Sequence, residues 1–254
     1  MRILVVGMGL IGGSICKSIK AATPHAVYGC DVQQAVLDDA IADGAIDGTG
    51  TMTDGTYDMI ILCLHQRIAI QMVQEALPKI PAGTILVDTC GLKGRMVRDL
   101  TYRCRKADVR YVDTHPMAGR EKNGYYASIP NLFQNANLIV TPVDGTDEAA
   151  LDTVKELADQ MGFGKIVTAT PMWHDNMIAY TSQLAHVVSS SYVKDFCMDD
   201  ALSFSGGSFQ DMTRVARLDE DRELYEDINY CEKIIEDGSL IRAVEEALGA
   251  EIEY

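Results

Sequence analysis

The stretch RILVVGMGLIGGSICKSIKAA, residues 2–22, joins an apolar strand-like run to a helix-compatible run through Gly7, Gly9 and Gly12, spaced as GxGxxG. In such a strand–turn–helix the first glycine permits the tight turn and the second lets a ligand approach the backbone. The third lets helix and strand pack closely. The helix start then favours negative charge, because its first N–H groups lack partners and its dipole is positive there. The spacing alone is a common pattern, and the next strand is what gives it force. AVYGC (26–30) is followed at once by Asp31, about 20 positions past the last glycine. A carboxylate there accepts hydrogen bonds from an adenosine ribose and repels a 2′-phosphate, and no arginine stands ready for such a phosphate. The expected cofactor is NAD rather than NADP, held by Gly7, Gly9, Leu10, Ile11, Gly12 and Asp31. The plainer alternative is a structural glycine turn followed by a helix-capping aspartate.

Further short apolar runs occur at 58–64, 84–89, 109–113, 137–142 and 165–169, separated over much of this stretch by helix-length segments. Unbroken runs of this length predict strands covered on both faces of a parallel sheet. The fold class is therefore α/β, a Rossmann-type doubly wound sheet. From Pro171 the strand signals stop, and Met177, Tyr180, Leu184, Val187 and Val188 recur at helical spacing. Acidic amphipathic stretches follow at 222–236 and 240–248. The boundary is placed near residue 170, giving a dinucleotide-binding domain (1–170) and an all-helical C-terminal domain (171–254). So small a helical domain needs a partner, either the first domain or a second copy of itself. Leu64 and His65 follow the 58–64 strand and so fall at the carboxyl edge of the sheet, where ligands bind. A cofactor-lining role and a plain loop histidine are both open there.

With 22 basic and 37 acidic residues the net charge is −15, so nucleic acid is not an expected partner and an anionic ligand needs locally concentrated cations. No apolar run reaches the roughly 20 residues of a membrane span, and the N-terminus lacks the order of a signal peptide. The 7 cysteines include no CxxC pair, which points to a reducing cytoplasmic setting and to no metal site.

The segment THPMAGRE (114–121) sets His115 just past the 109–113 strand, with Pro116 restricting it to extended geometry. A neutral imidazole near a nicotinamide is a natural base for a hydroxyl whose carbon loses hydride. Taken alone it reads first as a strand-end histidine satisfied by a carbonyl. His186 lies on the helix after Pro171. Arg214, behind the glycines of SGGSFQDMTRVAR and just inside a helix, presents a fork suited to a carboxylate. Taken alone, each of these reads first as part of a solvated helix face.

The doubled glycine turn, THPMAG, HDNMIAYTSQLAH and GGSFQDMTRVA occur in an order that resembles the prephenate/arogenate dehydrogenases of tyrosine biosynthesis, over essentially the whole chain. The resemblance implies that His115 is the catalytic histidine at the ring 4-hydroxyl. It implies that His186 lines the substrate pocket and that Arg214 grips a substrate carboxylate. A dianionic substrate on so acidic a chain needs further local positive charge, for which Arg217, Arg120 and His186 are the candidates. It implies a homodimer formed through the helical domain. The expected reaction is NAD-dependent oxidative decarboxylation of prephenate. The alternatives are arogenate as substrate, a 3-hydroxyacid-type dehydrogenase, or a dinucleotide-binding regulatory protein without turnover. One departure stands out: many members carry a serine after the fourth strand in a DxGSxK pattern, whereas DTCGLKG places Gly91 there, after Thr89 and Cys90. Either a neighbour such as Thr89 or a water takes over, or His115 acts with less help. The chain ends soon after the last helical stretch, leaving no length for an appended regulatory domain.

Overall fold

The apolar runs are unbroken because helices cover both faces of the sheet they build. The computed structural model describes residues 1–54, 57–120, 122–193 and 204–216. The strands are β1 (Arg2–Val6), β2 (Ala26–Cys30), β3 (Gly48–Thr49), β4 (Met59–Leu62), β5 (Ile85–Asp88), β6 (Arg110–Met117), β7 (Asn137–Val140) and β8 (Lys165–Thr168). Among the described residues they form one sheet in the order β3-β2-β1-β4-β5-β6-β7-β8. The helices are α1 (Leu10–Ala22), α2 (Gln34–Ala42), α3 (Gln66–Ala76), α4 (Gly94–Lys106), α5 (Glu148–Gln160), α6 (Pro171–Ile178), α7 (Leu184–Val193) and α8 (Gly207–Ala216). Successive β1 residues point to opposite faces, as the pleat requires. Ile3 and Val5 join a core with Ile15 and Ile19 of α1, Leu37 of α2 and Val154 of α5. Leu4 and Val6 join the opposite core with Val73 of α3 and Leu100 of α4.

The strands from β3 to β6 pair in parallel, as their helical crossovers demand. β7 departs from the expected all-parallel sheet and runs antiparallel to β6, with Thr114 opposite Val140 and Met117 opposite Asn137. The reason lies in the connection. Between β6 and β7 there is only a short 3₁₀ turn at Tyr125–Ala127 and no crossover helix, so the chain comes back beside the strand it left. α5 then supplies a full crossover, and β8 lies parallel to β7.

The chain divides into two compact units, Met1–His174 and Asp175–Tyr254. In the second, a π-type turn at Ala179–Gln183 separates α6 from α7. Its extra residue shifts the helical phase. The buried positions are Ile178, Ala179, Gln183 and Ser189, while Met177, Leu184 and Val187 of the expected face are half-buried. Of that face, Tyr180 is 49% and Val188 46% exposed. α7 and α8 pack through the Tyr192 and Phe209 rings, 5.8 Å apart, and Ser189 donates to the Met212 carbonyl. The helical stretches expected at 222–236 and 240–248 lie outside the described residues, as does Arg217.

At the turn after β1, Gly7 has φ +92°, and a Cβ on it would lie 2.4 Å from the Cys63 carbonyl oxygen. A Cβ on Gly12 would lie 1.9 Å from the Gly7 oxygen, whereas one on Gly9 meets nothing within 4 Å. Gly12→Ala is therefore expected to lower stability by about 1–3 kcal/mol. Gly9→Ala should change it by no more than about 0.5 kcal/mol. Urea denaturation of the two variants measures the difference.

Candidate active site

One row of the sheet register sets the geometry of the site. Cys30 and Leu62 both align with Val6, Asp88 aligns with Leu62, and Asp113 aligns with Asp88. Of the residues that follow this row, Asp31, Gly7, Cys63 and Thr89 leave the sheet at its carboxyl edge, while Thr114 continues β6 past the end of β5. At a strand spacing of roughly 4.8 Å, the row from β2 to β6 extends about 19 Å. Between β1 and β4 the crossovers diverge, leaving the crevice where open α/β sheets bind ligands.

The glycine turn occupies that crevice. No side chain caps the first turn of α1, so its start suits an external anion. Asp31, half-buried, accepts from the Met8 N–H at 2.7 Å and from the Gln33 N–H at 2.9 Å. These bonds hold its carboxylate against the turn. Open space at Gly9, close packing at Gly7 and Gly12, and a fixed acid beside the turn fit a bound dinucleotide. Leu10 and Ile11 are half-buried in the turn, and Ile11 also packs on the core. Leu64 lies under Gly7, where its Cδ2 would come within 2.8 Å of an added Cβ. His65 is half-buried and takes the residue before the first turn of α3, with its carbonyl accepting from Ala69.

Beneath the next loop lies a buried cation. Lys93 is fully buried, and its Nζ donates to Asp88 Oδ1 at 2.8 Å, Asp113 Oδ1 at 2.9 Å and the Thr114 carbonyl at 2.6 Å. The Tyr111 hydroxyl donates to Asp88 Oδ2 at 2.7 Å and lies 2.9 Å from Asp113 Oδ1, and Thr141 donates to Asp113. The Cys90 N–H closes on Asp88 Oδ1 at 2.8 Å. Burial alone pushes the Asp88 carboxyl up, but the Lys93 ammonium and the hydrogen bonds around it leave it below the usual carboxylate range. Burial and the Asp88 charge hold the Asp113 carboxyl well above that range. The cluster thus sets the Lys93 ammonium against Asp88 and Asp113, with the two carboxyls pushed in opposite directions.

His115 stands directly above this cluster in sequence. It lies within β6 rather than just past it, because the second half of β6 finds a partner in β7 on its other side, with His115 opposite Ile139. Since β5 stops at Asp88, His115 still projects beyond the carboxyl edge of the parallel strands. Its Nε2 lies 3.9 Å from where a Cβ on exposed Gly91 would be, so no side chain fills the place of the serine found in many relatives. Thr89 does not take it over. Its hydroxyl donates back to the Leu62 carbonyl at 3.1 Å. Cys90 is buried and directs its thiol to the Leu64 carbonyl at 3.4 Å, and burial raises its pKa. On the other side of the ring, His115 Nδ1 lies 2.9 Å from His174 Nε2. His174 is the site residue that sequence reasoning missed. Its only sequence signal is its position in HDNMIAYTSQLAH.

His186 and Arg214 belong to the second unit. His186 is half-buried on α7. Arg214 is exposed and lies in the last turn of α8, not just inside its start, because the helix begins at Gly207 itself. Arg120 in the first unit donates from Nη1 to the Ala127 carbonyl at 2.9 Å.

An imidazole and a glycine turn on one edge of an open sheet are the working parts of a dinucleotide-dependent dehydrogenase. The family description "Prephenate dehydrogenase, nucleotide-binding domain" matches residues 15–168, and "Prephenate dehydrogenase, dimerization domain" matches residues 170–236. The chain belongs to the prephenate dehydrogenase family. A cyclohexadienyl dehydrogenase of Zymomonas mobilis is 31% identical over 227 residues, covering 85% of this chain and 76% of the relative. A prephenate dehydrogenase of Bacillus subtilis is 29% identical over 223 residues, covering 84% of this chain and 60% of that longer protein. Among solved structures, prephenate dehydrogenase from A. aeolicus in complex with hydroxyphenyl propionate and NAD+ superposes with TM-score 0.81 at 26% identity. That match covers 98% of this chain and 88% of the other.

The buried cluster yields a stability test. Lys93→Met strands Asp88 without its cation and should cost about 3–5 kcal/mol in urea denaturation. Asp113 behaves differently. With its folded pKa raised by burial and by the Asp88 charge, its contribution is complete below the ordinary carboxylate range and is lost as pH rises above it. Asp113→Asn removes this titration, so the variant should gain on the wild type in urea denaturation as pH rises above about 4. A stability difference independent of pH there would contradict a raised Asp113 pKa.

Proposed function

We propose that this protein converts prephenate to 4-hydroxyphenylpyruvate and carbon dioxide with NAD+ as oxidant. The observation that carries the proposal is the position of His115, whose Nε2 faces the gap at Gly91 on the same edge as the glycine turn. The dinucleotide, when bound, supplies the acceptor for the hydride leaving C4 of the cyclohexadienol ring. Gly7, Gly9, Leu10, Ile11, Gly12 and Asp31 are assigned to holding it, with Leu64 and His65 lining the same edge. Asp31 favours NAD over NADP, because its charge opposes a 2′-phosphate.

His115 Nε2 accepts the 4-hydroxyl proton as the C4–H bond breaks. The hydroxyl O–H pair becomes the carbonyl π bond, and the C4–H pair leaves as hydride. Loss of the ring carboxylate as carbon dioxide returns the electron pair that makes the ring aromatic, and the carbonyl oxygen regains a proton as the phenol. Aromatisation makes the overall reaction effectively irreversible.

Prephenate is a dianion, and a chain of net charge −15 must recognise it with local cations. Arg214 is assigned to a substrate carboxylate, with His186 in the same pocket and Arg217 and Arg120 as supporting charges. The helical domain, residues 171–254, is assigned to substrate binding and to homodimer formation. The description of the matching family domain and the exposure of Tyr180, Val188 and Tyr192 support the dimer. No helix among the described residues is long and apolar enough to cross a membrane, and the cytoplasm is the proposed location.

Purified protein should form NADH with prephenate, and the same assay with arogenate and with NADP+ fixes the preference for each. His115→Asn should lower kcat by about 10²–10⁴-fold at near-normal KM. Arg214→Ala should mainly raise KM, by roughly 10- to 100-fold, the worth of one charge-assisted contact. Cofactor binding without turnover of either substrate would mean a regulatory protein instead.

A further inference from the structure

His115 has two ring nitrogens, and the assigned reaction uses only one of them. The register of the outer strands explains what meets the other. Thr114 is opposite Val140, and the Ala169 N–H just after β8 donates to the Val140 carbonyl at 3.1 Å. The chain therefore leaves β8 close to His115. It turns into α6 at once, with Pro171 at the first helical position, where its missing N–H costs nothing. The Thr170 hydroxyl accepts from the Trp173 N–H at 3.2 Å, and the Thr170 carbonyl accepts from the His174 N–H at 2.9 Å. This start faces Met172 and Trp173 outward, 75% and 57% exposed, and turns His174 inward, where it is 1% exposed. The two imidazoles meet edge to face, with centroids 5.1 Å apart and planes at 61°.

A contact of 2.9 Å between His115 Nδ1 and His174 Nε2 holds one proton, since two N–H groups cannot point at each other. Two arrangements satisfy it, and they differ in what they leave at the reacting face. If His174 donates, His115 Nδ1 is bare and its Nε2 carries a proton, so Nε2 cannot accept another. If His115 donates, Nε2 is bare toward Gly91. The second arrangement is the one a base requires.

Resting on the function proposed above, we propose that His174 is a positioning residue: its Nε2 accepts the His115 Nδ1–H, fixing the tautomer that leaves His115 Nε2 free to take the substrate proton. After transfer His115 carries protons on both nitrogens, and the same bond to His174 persists, now donated by a cation and correspondingly stronger. An imidazole acceptor here fills the orienting role that a carboxylate fills in other catalytic histidine pairs. His174 thereby directs the ring from its Nδ1 side.

Two variants and one spectrum test this. His174→Gln retains an acceptor oxygen, whereas His174→Phe fills the space without one. The Phe variant should lose kcat by at least roughly 100-fold with KM within about threefold, and Gln should recover to within about tenfold of wild type. Equal loss in both variants, or a Phe variant with wild-type kcat, would overturn the assignment. In substrate-free protein labelled with ¹⁵N-histidine, His115 should show a protonated Nδ1 and a bare Nε2, identified by the signals lost in His115→Asn. The opposite tautomer would overturn the proposal whatever the enzyme turns over. Because the spectrum needs no substrate, failure to oxidise prephenate would count against the reaction and not against the His174 contact.

Discussion

A single buried ammonium ties together the two chain segments that face the reaction. Lys93 has no solvent exposure, yet it touches the end of β5 through Asp88 and the middle of β6 through Asp113 and the Thr114 carbonyl. The loop carrying Gly91 lies between the two aspartates in sequence, and His115 follows Thr114 directly. Burying such a charge is costly unless every partner is in place, so the cluster forms completely or not at all. The loop after β5 and the strand carrying the base are thereby held by one set of bonds. That set consists of the Lys93 ammonium, the carboxyl groups of Asp88 and Asp113 and the hydroxyls of Tyr111 and Thr141.

Much of the sheet was legible in the sequence, because a strand buried on both faces is largely apolar. The central strands β1, β4 and β5 show this most fully, β2, β7 and β8 are partly exposed yet still read as short apolar runs, and only the two-residue β3 left no trace. The glycine turn and Asp31 were equally plain, since each position answers to a local steric or electrostatic demand. What the sequence concealed was pairing. The apolar signal of β6 ends at Asp113, but the strand continues through His115 and Pro116 because β7 lies alongside. Nothing local to that segment declares it. Antiparallel return was likewise hidden in a connection that simply lacks a helix.

The helical part shows a different kind of concealment. Its periodicity was real, but the π-type turn at Ala179–Gln183 moves the phase by one residue and changes which side chains are buried. His174 was invisible for a related reason. A histidine early in a helix reads as surface until the helix start is anchored, and here Thr170 and the bond from Ala169 to Val140 anchor it against β6. Gly91 is the reverse case. The sequence marked the missing serine, and the structure shows that neither Thr89 nor Cys90 takes its place, both being bonded back toward the strand beside them.

The central claim is that His115 Nε2 meets the ring oxygen at the carboxyl edge, across the gap left by Gly91. The most direct measurement is a crystal structure of the protein with NAD+ and 4-hydroxyphenylpyruvate bound. The claim predicts the phenol oxygen within about 3.2 Å of His115 Nε2, with no other protein base in reach. A phenol oxygen held by a different side chain, with His115 facing away from the ring, would contradict it.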